Sequence, residues 1–162
     1  MTQSSPNGPQ VGGPQVGDEL VTVAVGAQQF AIDIMSVREI RGWTESTPLP
    51  NAAAHFLGMI NLRGLILPVI DLRARLGLGR ADVARSSVVV VVQIGARQVG
   101  LLVDGVCDIL IVREGMIQPT PQVGAGSAAN FVQGVMTTDQ GIIGLLALDH
   151  VVPSEEDQAD AA

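Results

Sequence analysis

Two histidines, one cysteine and a scatter of aspartates are the residues of this chain best suited to catalysis or metal ligation. His55 and His150 are far apart and lack the partner spacing of an H-E-x-x-H helix. Cys107 is the single cysteine, so neither an internal disulfide nor a cysteine-built zinc site can form. Beside Asp108 it is expected to be a small buried or half-buried residue. No G-x-S-x-G elbow, Walker loop or helix-opening G-x-G-x-x-G occurs. Asp33, Asp71, Asp104 and Asp149 fall at the ends of expected strands, with Asp149 an echo of Asp71. Two facing carboxylates can do acid–base work, but strand-end Asp is commonly a turn or cap former. Hence no catalytic residue, metal site or cofactor is expected, and a small enzyme built on these carboxylates is the weaker reading.

Arg63 is the charge out of keeping with its surroundings. It stands in Gly58–Leu72 (GMINLRGLILPVIDL), between Leu62 and Gly64. A lone cation in an apolar run must snorkel, pair, or mark a binding surface. Pairing with Glu39 and display at a groove rim are both open, and they are compatible.

The elements that must position these residues read as β-rich. Strands are expected at Leu20–Val25, Gln29–Ile34, Val88–Ile94 and Gln98–Val103, with hairpin turns at Gly26-Ala27 and Gly95-Ala96. Asp33–Ile40 reads as a capped helical turn and Asp104–Leu110 as a turn. Asn51–Asn61 reads as an Ala-rich helix with Phe56 and Ile60 at i, i+4, and Phe131–Met136 as its parallel. Gly64–Leu72 is a strand whose Pro68 implies an edge or a bulge, and Gly141–Leu148 parallels it. Arg73–Leu76 reads as a short helix, and Gln118–Ala128 as a Pro/Gly-rich loop. His55 falls on the expected helix, and His150 at a strand end.

Leu20–Ile40 realigns without a gap on Val89–Ile109, at an offset of about 69 residues. Ala31 meets Gly100, Val37 meets Val106, Glu39 meets Asp108 and Ile40 meets Ile109. One supersecondary unit used twice implies a cleft between the copies. The expected fold is mainly β: two pseudo-repeated, five-stranded, SH3-like β-barrels with short helices, intertwined and divided near 19–87 and 88–152. Residues 1–18 read as a disordered Pro/Gly/Gln arm, and 153–162 as an acidic disordered tail.

With 47% hydrophobic residues, no Tyr, three Phe and one Trp, the chain can build a sizeable core but lacks a base-stacking surface. A net charge of −7 disfavours nucleic acid as a partner. Without a signal-like segment or a long apolar run, no membrane insertion is expected, and the location is expected to be cytoplasmic.

Three strings, FAIDIMSVREIRG (30–42), PNAAAHFLGMINLRGLILPVIDLR (50–73) and VGLLVDGVCDILIV (99–112), resemble the CheW family of chemotaxis coupling proteins. They follow that family's blocks in order: I-D-I with V-x-E-I, then G-x-x-N-x-R-G-x-I-x-P-V-x-D-L, then V-G-x-x-V-D-x-V. The resemblance implies the two-barrel fold. It also implies a non-enzymatic adaptor that couples chemoreceptor cytoplasmic tips to the regulatory domain of the histidine kinase CheA, recruited to membrane-associated receptor arrays. By the same resemblance, Val37, Ile40, Arg63, Ile66, Val106 and Ile109 form the receptor-binding groove, and Glu39 pairs with Arg63. Leu49, Phe56, Gly58 and Met59 are implied at the kinase contact. Gln118, Gln122 and Val123 are implied at an array contact supporting self-association, in a loop lacking the family's aromatic after the second Pro. Trp43 is either an exposed anchor or half-buried packing. An adaptor of a non-flagellar pathway, for pilus motility or development, is the close alternative. The kinase's own regulatory domain and a response-regulator fusion are disfavoured by length.

Overall fold

Alternating apolar residues build two sheets, and the repeat decides how they interlock. The structure is a computed structural model that describes residues 14–43, 55–79, 87–119, 131–139 and 141–152. In chain order come β1 (Glu19–Val25), β2 (Gln28–Asp33), a 3₁₀ turn (Ile34–Ser36), β3 (Val37–Gly42), β4 (Phe56–Leu62), β5 (Leu65–Asp71) and α1 (Leu72–Arg75). Then follow β6 (Val88–Ile94), β7 (Arg97–Val103), β8 (Gly105–Ile111), β9 (Ile117–Gln118), β10 (Val132–Thr138), β11 (Gly141–Leu146) and α2 (Leu148–Val151).

One sheet runs β3-β6-β7-β5-β4 and the other β8-β1-β2-β11-β10-β9. The fold is the expected pair of small barrels, the sixth strand of the second sheet being the two-residue β9. Each sheet takes strands from both halves of the chain. The boundary near residue 87 therefore separates repeats in sequence, not sheets in space.

The interlocking is reciprocal. In each repeat two strands form a hairpin, and the third crosses to the other copy. β3 pairs β6 (Ile40↔Val90), and β8 pairs β1 (Val21↔Ile109). The bulges match as well: Arg38 is skipped between Val37↔Val92 and Glu39↔Val91, and Cys107 between Val23↔Val106 and Thr22↔Asp108. The later hairpins correspond in the same way. Gly58↔Val69 in β4–β5 matches Gly134↔Leu145 in β10–β11, each beside a bulge. The parallel contacts Val69↔Gly100 and Leu145↔Ala31 complete the correspondence. Gly26 and Gly95 both adopt φ 62 as the first central residue of a two-residue hairpin turn, the II′ arrangement that glycine meets without strain.

Strand alternation sorts the core into three clusters. Val21, Val23 and Val25 face Val90, Val92 and Leu101 in a central cluster joining the two sheets. The opposite faces fill the barrels: Ile60, Leu67, Val69 and Val89 in one, and Met136, Ile143, Leu145 and Leu20 in the other. Arg75, at the end of α1, donates to the carbonyls of Val151 (2.8 Å) and His150 (3.2 Å), neutralising the C-terminal end of α2.

Several expectations need correction. Phe56–Leu62 is strand, not helix; its i, i+4 spacing suits period 2 equally, and Gly58, Ile60 and Leu62 are buried together. Residues 51–54 of that expected helix lie outside the described residues. Gly105–Ile111 is strand rather than turn, Val132–Thr138 is strand, and Asp33–Ile40 is a 3₁₀ turn running into β3. Pro68 lies in an interior strand, tolerated because β5 joins β7 only from Val69 to Asp71. Of the arm expected over 1–18, residues 14–18 are described, and there the Gly17 N–H donates to the Val112 carbonyl at 2.9 Å. Residues 1–13 and 153–162 lie outside the described residues. Cys107 is exposed, because its bulge ejects it from the ladder. The register matches Asp71, the N-cap of α1, with Ala147, the N-cap of α2, and not with Asp149. His150 lies in α2, and His55 precedes β4 with its ring beside Phe56.

Candidate functional site

The four flagged aspartates do mostly structural work. Asp33 accepts from the Met35 N–H (2.9 Å) and Asp71 from those of Arg73 (3.1 Å) and Ala74 (3.3 Å). Asp104 accepts from the Gly26 N–H at 2.7 Å. Asp149 is exposed on α2. Each of the first three spends a carboxylate oxygen on a backbone donor, as caps and turns require.

Arg63 forms the tip of the β4–β5 hairpin. Leu62 pairs with Leu65, so Arg63 and Gly64 are the two turn residues, at φ 53 and φ 89. Two consecutive positive φ values make the primed turn that matches strand twist. Gly64 takes this conformation freely; Arg63 is the one described non-glycine residue with positive φ. The Asn61 side chain accepts from the Gly64 N–H at 2.8 Å and locks the turn. The N-L-R-G string is thus a device for holding one arginine at a hairpin tip.

From that tip the Arg63 guanidinium donates to Glu39 Oε1 at 2.6 Å, and Arg41 donates to Oε2 at 3.1 Å. The arginine side chain remains 71% exposed, and the glutamate 25%. Hydrogen bonding from Arg63, and then from Arg41, holds the Glu39 carboxyl below its ordinary value, and Glu39 in turn raises Arg63. The expected pairing is therefore present. Arg41 is a second cation the sequence reading missed; its i, i+2 spacing from Glu39 on one strand was the available signal.

The implied groove residues divide between the two sheets. Val37, Ile40, Arg63 and Ile66 belong to the first, and Val106 and Ile109 to the second. Val37 is half-buried against the central cluster. Ile40 (46%), Ile66 (54%), Val106 (38%) and Ile109 (51%) keep large apolar area in solvent. Ile40 on β3 and Val106 and Ile109 on β8 belong to outer strands of their sheets, whereas Ile66 is on the interior strand β5, next to the β4–β5 hairpin tip. Phe56 is half-buried against the central cluster, Gly58 is buried at a bulge and Met59 is half-buried. Trp43 is half-buried packing against the first barrel's cluster. Gln118 is exposed on β9; Leu49, Gln122 and Val123 lie outside the described residues.

Two interlocked barrels, exposed isoleucines on their outer strands and a fixed surface ion pair define a protein-docking module. Comparison with known proteins agrees. A model of the CheW-like domain matches residues 19–156. The chemotaxis protein CheW of Rhizobium meliloti is 49% identical over 143 residues, covering 88% of this chain and 92% of the relative. That of Klebsiella aerogenes is 33% identical, covering 91% and 89%. The crystal structure of the scaffolding protein TtCheW from Thermoanaerobacter tengcongensis superposes with a TM-score of 0.77 at 30% identity, covering 88% of this chain and 92% of that one. The chain belongs to the CheW family and is a chemotaxis adaptor. Among the described residues, no helix is long and apolar enough to cross a membrane.

Proposed function

We propose that the chain holds a chemoreceptor's cytoplasmic tip against the regulatory domain of a CheA-type histidine kinase, at receptor arrays on the cytoplasmic side of the membrane. The observation that carries this reading is the Arg63–Glu39 pair at the β4–β5 hairpin tip together with the exposed Ile40 and Ile66; Val106 and Ile109, also exposed, are proposed as the second wall. An amphipathic receptor helix would lay apolar side chains on these isoleucines, while Arg63 fixes its register. No bond is made or broken. The adaptor raises the effective concentration of kinase at receptor, and each partner biases the state of the other. The kinase is proposed to contact Phe56, Gly58 and Met59, together with Leu49. Gln118, Gln122 and Val123 are proposed as a self-association contact within arrays. A pulldown with a receptor cytoplasmic fragment and, separately, with the kinase regulatory domain tests the reading. Retention of both at tens of micromolar, on the order of weak-interface affinity, supports it; retention of neither overturns it.

A further inference from the structure

The Glu39 carboxylate is shared, one oxygen to each of two arginines. Arg63 takes Oε1 at 2.6 Å and Arg41 takes Oε2 at 3.1 Å. An arginine facing a carboxylate alone favours the two-pronged fork–fork pair. Here Arg41 occupies the second prong, so Arg63 is confined to a single hydrogen bond from Nη2. It spends one of the five N–H donors of its guanidinium, and among the described residues it has no other acceptor. Its side chain stays 71% exposed. The backbone adds no freedom, since the bond from the Gly64 N–H to Asn61 locks the hairpin tip. The pose of Arg63 is therefore decided at Glu39, and Arg41 decides which oxygen of Glu39 is available.

Two observations set Arg41 apart from ordinary barrel packing. Its Nε is shut off from solvent and donates to nothing. A buried donor left unpaired costs free energy, so the side chain is a poor choice for stability alone. The second copy of the repeat shows what the fold itself requires at this place. Glu39 and Asp108 both follow the bulged residue of their strands, so Arg41 matches Leu110. Leu110 packs against the second barrel's cluster. The same outer strand and bulge form with leucine there, and the cation belongs to the first copy alone.

We propose that Arg41 is a positioning residue for docking: by holding Glu39 Oε2 it keeps Arg63 singly bonded, with its other donors free for an acceptor on the docking partner. Without Arg41, both carboxylate oxygens turn to Arg63. The guanidinium then folds onto Glu39 as a bidentate pair and withdraws the donors a partner uses. The pair within the chain becomes tighter, and docking becomes weaker. The Glu39 carboxyl is held below its ordinary value by Arg63 and then by Arg41, in keeping with one carboxylate serving two donors. The role rests on the receptor docking proposed above and names the residue that tunes it.

The test compares Arg41→Leu, which installs the side chain of the second copy, with Arg41→Lys, which retains a donor for Oε2. Nuclear magnetic resonance of the isotopically labelled free chain reads the Arg63 Nε–Hε and Nη signals. Arg41→Leu should shift them and slow rotation of the guanidinium, as a bidentate pair does; Arg41→Lys should leave them as in wild type. In isothermal titration with a receptor cytoplasmic fragment, Arg41→Leu should bind about tenfold more weakly and Arg41→Lys within about twofold of wild type, the loss expected when a hydrogen bond to a charged group is withdrawn. The thermal midpoints of both should stay within about 2 °C of wild type, because an exposed ion pair contributes little. Unchanged Arg63 signals in Arg41→Leu overturn the positioning role whatever the fragment does. Shifted signals with undiminished binding overturn its bearing on docking, as does equal loss of binding in Arg41→Lys and Arg41→Leu. A midpoint lowered by more than about 5 °C in both variants assigns Arg41 to packing. A wild type that does not bind the fragment overturns the docking reading instead, and the two failures are told apart because the Arg63 signals of the free chain do not involve the fragment.

Discussion

Replacing one exposed isoleucine on each proposed wall, Ile40→Ser and Ile109→Ser, separates docking from packing. Ile40 is 46% exposed and Ile109 is 51% exposed, so about half of each side chain remains for a partner to cover. Full burial of an isoleucine is worth about 1.5–3 kcal/mol, leaving about 1 kcal/mol at each position. Each single substitution should weaken binding of a receptor cytoplasmic fragment about fivefold, and the double substitution about thirtyfold if the sites are independent. Stability should respond far less, since exposed outer-strand positions usually shift folding by no more than about 0.5 kcal/mol each. Isothermal titration with the fragment and thermal melts of the same samples provide the two readouts. The reasoning is refuted if Ile109→Ser binds like wild type while Ile40→Ser does not, because the groove would then have one wall. A melting midpoint that falls by more than about 10 °C would instead assign these residues to packing.

Further predictions concern the devices around the site. Glu39 has a lowered folded-state pKa, so its contribution is present above the ordinary glutamate range and is lost as pH falls through the lowered value. Glu39→Gln should therefore lower the thermal midpoint at neutral pH by no more than about 2 °C, given an exposed and salt-screened pair, with the difference vanishing in acid; a difference that grows in acid contradicts this. Thr22→Val keeps the shape but removes both hydrogen bonds to the Asp108 backbone, and should cost about 1–2 kcal/mol in denaturant melts while speeding amide exchange at Asp108. A Cβ at Gly100 would meet Val89 Cγ1 at 2.8 Å, so Gly100→Ala should destabilise by about 1–2 kcal/mol even though its counterpart position, Ala31, carries alanine.

What the sequence revealed and what it concealed share a cause, the bulges. The four hairpin strands flanking Gly26-Ala27 and Gly95-Ala96 are uninterrupted, and their alternation and turn residues are legible to within a residue. β3 and β8 are not, because an extra residue at Arg38 and at Cys107 breaks the alternation. It leaves Val37 and Ile40, like Val106 and Ile109, at the i, i+3 spacing that imitates a helical turn. Phe56 and Ile60 misled differently, since i, i+4 fits either period. The crossing of the third strands could not be read at all: either copy offers β3 and β8 the same valine-rich neighbour, β1 or β6. The Glu39–Arg63 pair was legible because a cation isolated in an apolar run needs an anion. Arg41 was concealed because Asp33–Ile40 reads as a helical turn, and the i, i+2 spacing from Glu39 brings side chains to one face only on a strand.

The central claim is that a receptor tip lies across walls supplied by both copies of the repeat. Backbone amide shifts of the labelled chain on addition of a receptor cytoplasmic fragment test this most directly. The account predicts shifts grouped at Val37, Ile40, Arg63 and Ile66 and also at Val106 and Ile109, all reduced together by Arg63→Ala. Shifts confined to one sheet, or an undiminished response in Arg63→Ala, would contradict it.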